Sequence, residues 1–229
     1  NPLICHFANI KEIEKNFILN DKDYELANTF WPGPLTLILE KKINSMISPL
    51  LSNNKNQVGC RIPNNKISLS LLSKIDFPIA APSANIATRT SVTSIDDLDY
   101  KLKEIFYIDG GSSVLGLEST VIKTTKNGCK ILRLGSLTIE DIKIKFPKYE
   151  ISIDQSDVSP GNQPKHYSPI KPIRINVDIV KKNETLLNFG INELASDIKS
   201  LNLSIDENLS DASYNFYNYL NILDSISCD

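Results

Sequence analysis

A chain of 229 residues can hold one large domain, or a medium one with an appendage. Hydrophobic residues at 41% and charged ones at 23% describe a globular protein, and a formal charge of -2 with a pI of about 5.8 argues against broad, non-specific polynucleotide binding. No apolar run reaches the roughly 18 residues of a membrane helix. Cys5, Cys60, Cys129 and Cys228 are scattered, with no C-x-x-C pair, so neither a zinc site nor a disulfide framework is indicated. A cytoplasmic protein with no membrane partner is expected. The chain opens without an initiator Met on Asn1-Pro2-Leu3, which leaves no room for a first strand and reads as a fragment.

Asn9 is placed to cap a helix running to about Phe17, and a second helix spans Asp21 to Phe30, ended by Pro32-Gly33-Pro34. Phe30 to Thr36 holds the only tryptophan, read as a structural corner. Leu35 to Leu39 and Val58 to Ile62 are apolar runs of strand type, and Ile67 to Ile75 has helical spacing. Pro78 to Ala81 is a short strand that should stop at Pro82, which donates no ladder hydrogen bond. Ser94 is placed to cap a helix to about Lys103, and Ile105 to Ile108 is a strand entering Asp109-Gly110-Gly111. Ser119 to Thr124 and Lys130 to Leu134 form a hairpin through Asn127-Gly128, and Thr138 starts another helix. Hairpins among alternating helices and strands favour a twisted mixed β-sheet with flanking helices, an α/β (α+β) fold. Residues 147–172, rich in proline, read as a linker. Beyond them, strands at Ile173 to Val177 and Thr185 to Phe189 and a helix capped by Ser210 suggest a small, incomplete Rossmann-like α/β domain over 173–229.

Several stretches carry polar groups that could do chemistry. Ser83 and Asn85 follow a strand's carboxyl end, where open α/β sheets bind ligands, although both also favour ordinary turns. Arg61 ends an apolar strand, and its planar fork suits a carboxylate or phosphate. The glycine-containing stretch from Asp109 to Val121 adds the hydroxyls of Ser119 and Thr120, and Arg133 ends the following strand. His6 and His166 are the only histidines; His166 lies in the linker beside Tyr167, either folding back onto something or stiffening a spacer. No Ser-His-Asp or Cys-His set and no carboxylate pair stands out. Positioning and electrostatics, not a covalent intermediate, are the expected mode of action.

Together these stretches resemble the YrdC-like threonylcarbamoyl-AMP synthase family in its long, two-domain form. The carrying blocks are Asn1-Pro2-Leu3 with His6, Phe30 to Thr36, Val58 to Pro63, Ala81 to Thr93, Asp109-Gly110-Gly111, Glu118 to Val121, Leu132 to Gly135, and Pro160-Gly161 with His166-Tyr167. They keep the family's order over residues 1 to about 172. The resemblance implies a catalytic domain over 1–146, a linker or lid over 147–172 and part of a C-terminal domain over 173–229. It implies a nucleotidyltransferase that joins L-threonine, bicarbonate and ATP into threonylcarbamoyl-adenylate with release of pyrophosphate, using Mg2+. The product would then pass to the machinery that modifies tRNA, with tRNA itself at most weakly bound.

Carried over block by block, the threonine positions fall on His6, Arg61, Ser83 and Ser119. The ATP positions fall on Asn1, Gln57, Asn85, Ser91, Arg133, His166 and Tyr167, with no metal-ligating residue among them. Arg61 and Arg133 are the most important of these. The chain departs from the pattern in places. The family's Lys-x-Arg motif lies just upstream of Asn1, and Ala87-Thr88 and Val92 stand where the family prefers Ser-Gly and Pro. Lys165 replaces an arginine. The alternative readings are an RNA-binding module of the same fold and an inactive split-gene remnant.

Overall fold

The structure is a computed structural model that describes residues 3–52, 56–86, 88–102, 104–154 and 167–228. Asn1 and His166, and with them the Pro160-Gly161 pair, lie outside the described residues. The chain divides into two compact units, Asn1–Pro82 with Glu118–Gln163, and Ser83–Leu117 with Pro164–Asp229.

The first unit begins with strand β1 (Ile4–His6), which the opening of the sequence did not lead us to expect. Helix α1 (Ile10–Asn16) follows, with the Asn9 side chain accepting the Glu12 amide at 3.1 Å. Strand β2 (Phe17–Ile18) then leads to helix α2 (Asp21–Phe30). Asn20 and Asp23 cap α2 reciprocally, a pattern that satisfies two otherwise unpaired amides. The turn after α2 is the expected corner. Trp31 Nε1 donates to the Leu35 carbonyl at 2.7 Å, and a β-carbon on Gly33 would sit 2.3 Å from the Phe30 carbonyl oxygen.

Strand β3 (Leu35–Lys41), strand β4 (Gln57–Arg61), helix α3 (Lys66–Leu72) and strand β5 (Ile79–Ala81) come next. After the excursion into the second unit, strands β6 (Thr120–Thr124) and β7 (Gly128–Arg133) form the expected antiparallel hairpin. Helix α4 (Ile139–Lys145) is capped by Thr138, whose hydroxyl accepts the Asp141 amide. Strand β8 (Glu150–Ile153) pairs in parallel with β7. This corrects the reading of 147–172 as purely linker: Ile151 and Ile153 alternate with polar neighbours, a strand signal masked by the surrounding prolines.

The sheet order is β5-β1-β4-β3-β6-β7-β8, with β2 on the far part of β3. β1 and β4 are parallel, as are β3 and β6, while β3 is antiparallel to β4 and β6 to β7. The sheet is therefore mixed, as expected. Phe7, Ile13, Phe17, Leu26, Leu35, Leu37, Leu39, Ile122, Ile131 and Ile142 join in its core cluster. Cys5 and Cys60, paired in register, belong to that cluster; burial pushes the Cys5 thiol up to about 11 and Cys60 well above its usual value. Neither thiol is a ready nucleophile.

The second unit departs more from expectation. Residues 94–103, expected as a helix, hold two single 3-10 turns at Ile95–Asp97 and Tyr100–Leu102. The Asp97 carboxylate accepts the Thr93 amide, the Thr93 hydroxyl and the Ser94 amide, part of a capping box with Ser94, yet the turn it starts does not continue as a helix. Ile105 to Ile108 form no strand: they are exposed, Phe106 at 92%, and no neighbouring strand among the described residues takes their backbone groups. Ile173 to Val177 are likewise irregular. Strands β9 (Leu186–Asn188) and β10 (Ser200–Asn202) pair in parallel, and helix α5 (Leu209–Ser225) follows. Asn208, not Ser210, caps α5, because its side-chain oxygen accepts the amides of Ser210 and Asp211. No described helix is long and apolar enough to cross a membrane.

Candidate functional site

In the first unit the strand register assembles one rung from residues far apart in sequence. His6 pairs with Arg61 across β1 and β4. Leu37 pairs with Cys60, which brings Thr36 on β3 level with Arg61. Thr36 pairs with Val121 on β6, and Val121 with Arg133 on β7. Directly paired residues project to the same face of a sheet, and so do residues two apart on one strand. Ser119, two before Val121, therefore joins the face that carries His6, Arg61, Thr36 and Arg133. Cys5, Cys60 and Leu37 belong to the opposite face and the core.

The side chains meet as the register requires. Arg133, buried at 8% exposure, donates from Nε and Nη2 to the Ser119 carbonyl at 3.1 and 2.7 Å, and from Nη2 to Ser119 Oγ at 3.0 Å. Ser119 Oγ lies 2.8 Å from Thr36 Oγ1. Arg61 Nε donates to the Gly33 carbonyl at 3.0 Å, which fastens the corner after α2 to the end of β4. The Glu118 carboxylate lies 4.0 Å from Arg133 Nη2. Gly135 packs against this loop so tightly that a β-carbon there would lie 2.3 Å from the Glu118 carbonyl oxygen. Thr36 and Glu118 received no role from the sequence. The only signal for them was the motif block each sits in.

Electrostatics make the rung receptive to anions. Burial lowers the Arg61 guanidinium pKa most; Glu118 opposes that effect and Arg133 adds to it. Burial, and then the charge of Arg61, pull the His6 imidazole from 6.5 down to about 4. His6 is thus neutral near pH 7, and its buried Nδ1 has no hydrogen-bond partner among the described residues. A neutral imidazole beside two arginines can orient a ligand without adding a third charge. The depressed pKa also has a stability consequence. Between pH 6.5 and 4 the unfolded chain binds a proton at His6 that the folded chain does not. Stability from this group is complete above pH 6.5 and falls by about 3 kcal/mol as pH drops to 4. Urea titrations across that range should show this slope, and His6→Gln should flatten it.

The structure does not add Gln57 to the rung. Gln57 lies four residues before Arg61 on β4, about 13 Å along the strand at 3.3 Å per residue. Strand β5 also runs antiparallel to β1, with Ala81 opposite Ile4 and Ile79 opposite His6. The carboxyl end of β5 is therefore at the end of the sheet away from His6 and Arg61. Sequence reasoning had treated it as an ordinary parallel-strand ligand end.

Ser83, Asn85, Ser91 and Tyr167 belong to the second unit. Asn85 Nδ2 donates to the carbonyls of Ile86 and Arg89 at 3.0 and 2.8 Å, leaving its buried Oδ1 without a partner among the described residues. Ser91 is buried, and its carbonyl accepts from Asn221 Nδ2 on α5 at 3.3 Å. Ser83 is exposed. Tyr167 packs against Tyr217 of α5, and the Ser168 amide donates to the Thr88 carbonyl at 3.0 Å. The segment after His166 thus folds back onto the loop that carries Asn85, one of the two outcomes the sequence left open.

Thr88 adopts φ 74, the left-handed region that disfavours β-branched side chains and suits glycine. This backbone would suit the glycine that the resemblance leads one to expect at this position. Thr88→Gly is expected to stabilise the protein by about 1 kcal/mol, read as a higher urea midpoint at unchanged slope.

Comparison with known proteins agrees with this architecture. A sequence model of the Sua5/YciO/YrdC family, described as telomere recombination, matches residues 1–135. A threonylcarbamoyl-AMP synthase of Bacillus subtilis is 35% identical over 185 residues, covering 76% of this chain and 53% of its own. One from Pyrococcus abyssi is 37% identical over 179 residues, covering 74% of this chain and 52% of its own. The chain spans about half the length of the curated relatives it matches. The crystal structure of Pyrococcus abyssi Sua5 complexed with L-threonine superposes with a TM-score of 0.77 at 26% identity, covering all of this chain and 73% of that one.

Proposed function

The chain belongs to the Sua5/YciO/YrdC family, and on that footing we propose that it is a threonylcarbamoyl-AMP synthase. The observation that carries the reading is the rung that gathers His6, Arg61, Thr36, Ser119 and Arg133 on one face of the sheet. A pair of half-buried or buried guanidinium groups beside a neutral imidazole and hydroxyls suits a ligand with two anionic ends. L-threonine that has captured carbon dioxide on its amine is such a ligand. The carbamate oxygen then attacks the α-phosphate of ATP, forming the acyl-phosphate bond as pyrophosphate leaves.

In this reading Arg61 clamps the threonine carboxylate, with His6, Ser83 and Ser119 completing that subsite; Ser83, which follows the far end of β5, is the member of it with least support from the strand geometry. Arg133 offsets charge that develops on the carbamate and phosphate oxygens. Asn1, Gln57, Asn85, Ser91, His166 and Tyr167 hold the nucleotide, and Gln57 is the member with least support from the strand geometry. The docking of Ser168 on Thr88 supports a lid that includes His166 and Tyr167. None of these groups needs to become covalently bound, since holding two anions in line with cationic donors supplies the catalysis. Mg2+ would enter with the ATP phosphates and keep much of its water, as it usually does.

We propose with it the domain division that the resemblance implies, a YrdC-like domain over 1–146, a linker to 172 and part of a C-terminal α/β domain over 173–229, although β8 lies within that linker and residues 83–117 group with 164–229 as one compact unit. The adenylate would go on to a tRNA-modifying partner in the cytoplasm. The test is pyrophosphate release from ATP, Mg2+ and bicarbonate. The reading expects release that requires L-threonine. Release that ignores threonine would overturn it.

A further inference from the structure

Ser119 and Thr36 touch through their hydroxyls, and either oxygen could in geometry be the donor. Counting protons decides between them. The Arg133 guanidinium can only donate, so Ser119 Oγ accepts from Nη2. Thr36 is fully buried, and among the described residues its Oγ1 has no partner other than Ser119 Oγ. If Ser119 donated to Thr36, the Thr36 proton would be left in the interior with no acceptor. With Thr36 donating it is instead the Ser119 proton that lacks a protein acceptor among the described residues, and of the two only Ser119, which also meets Arg133, could hand that proton to an acceptor bound at the rung. Thr36 therefore donates. Ser119 Oγ then accepts twice, from Thr36 and from Arg133, and both of its lone pairs are spent. Its own proton has no acceptor among the described residues.

We infer that Thr36 is a positioning residue that makes the Ser119 hydroxyl a committed donor, so that the ligand group facing Ser119 is an oxygen that only accepts. Resting on the function proposed above, that group is the carboxylate of the amino-acid substrate. A neutral group bearing protons in the same place would meet donors only, from Ser119 and the arginines. The rung would then discriminate by hydrogen-bond polarity as well as by charge. Thr36 acts through Ser119 and does not itself reach the ligand.

The test compares dissociation constants of L-threonine and L-threoninamide, measured calorimetrically on the whole chain and its variants. Thr36→Val keeps the shape and removes the donor; one lone pair of Ser119 becomes available to accept from the amide. The preference for threonine over threoninamide is expected to fall roughly fivefold in Thr36→Val, the size of one neutral hydrogen bond. Thr36→Ser, which keeps the hydroxyl, should restore it. Because both ligands meet the same sample, a general loss of packing would weaken them together and leave the ratio alone. An unchanged ratio in Thr36→Val, with Ser119→Ala still costing threonine affinity, overturns the inference while leaving the proposed function standing. Threonine affinity that is absent, or indifferent to Ser119→Ala, overturns the proposed role of Ser119 and the inference with it.

Discussion

Arg61→Ala is expected to lower threonine-dependent pyrophosphate release by about a hundredfold or more, the loss typical of removing one preorganised electrostatic donor. Arg61 ends β4 level with His6 and Thr36, and its guanidinium is largely withdrawn from water. A cation desolvated in that way interacts strongly with an anion that reaches it. Part of the damage would be structural, because the buried Gly33 carbonyl loses the Nε donor that holds the corner. Arg61→Lys separates the two effects. Lysine keeps the charge but offers a point rather than a planar fork, so it should recover a minor part of the activity. Thermal melts on the same samples show how much of the loss is unfolding. Activity within a few-fold of the parent in Arg61→Ala would remove Arg61 from the site.

Arg133→Met is expected to act first on stability, lowering the free energy of unfolding by about 3 kcal/mol. Methionine preserves much of the apolar stem and deletes the guanidinium. The Ser119 carbonyl then loses both of its Arg133 donors, and Ser119 Oγ loses one. These bonds join the end of β7 to the segment that enters β6, where the register shifts between Val121 and Ile122. A regular ladder does not bridge that irregularity unaided, so the arginine serves as its substitute. Urea denaturation should show a lower midpoint at an unchanged slope. An unmoved midpoint would mean that Arg133 is spent on ligand alone.

Much of the fold was legible because its signals are local. Asn9 and Thr138 cap helices that begin where the sequence suggests, and Asn127-Gly128 closes the β6–β7 hairpin. Pro82 follows the last residue of β5 for the reason given by its missing amide. What failed was what depends on distant partners. The β-formers of Ile105 to Ile108 are as suited to a strand as those of β8, yet only β8 finds a neighbour to pair with. The helix read into 94–103 begins as its capping signal suggests, with Ser94 and Asp97 forming a capping box, but goes no further than single 3-10 turns.

The site was legible by residue and illegible by arrangement. Arg61, Ser119 and Arg133 could be picked out one by one, but their meeting follows from the register of five strands. Thr36 sits in a block dominated by proline, glycine and tryptophan, and its importance comes from a serine 83 residues away. Gln57, carried over as a nucleotide position, lies at the other end of β4 from Arg61. The direction of β5, antiparallel to β1, was equally illegible, since it depends on a distant partner strand.

The central claim is that the rung on β1, β4, β3, β6 and β7 receives the amino acid. A crystal structure of the chain soaked with L-threonine tests it most directly. The account predicts the carboxylate within about 3 Å of the Arg61 guanidinium, with an oxygen accepting from Ser119 Oγ. Threonine bound elsewhere, or a rung that stays empty at saturating threonine, would contradict it.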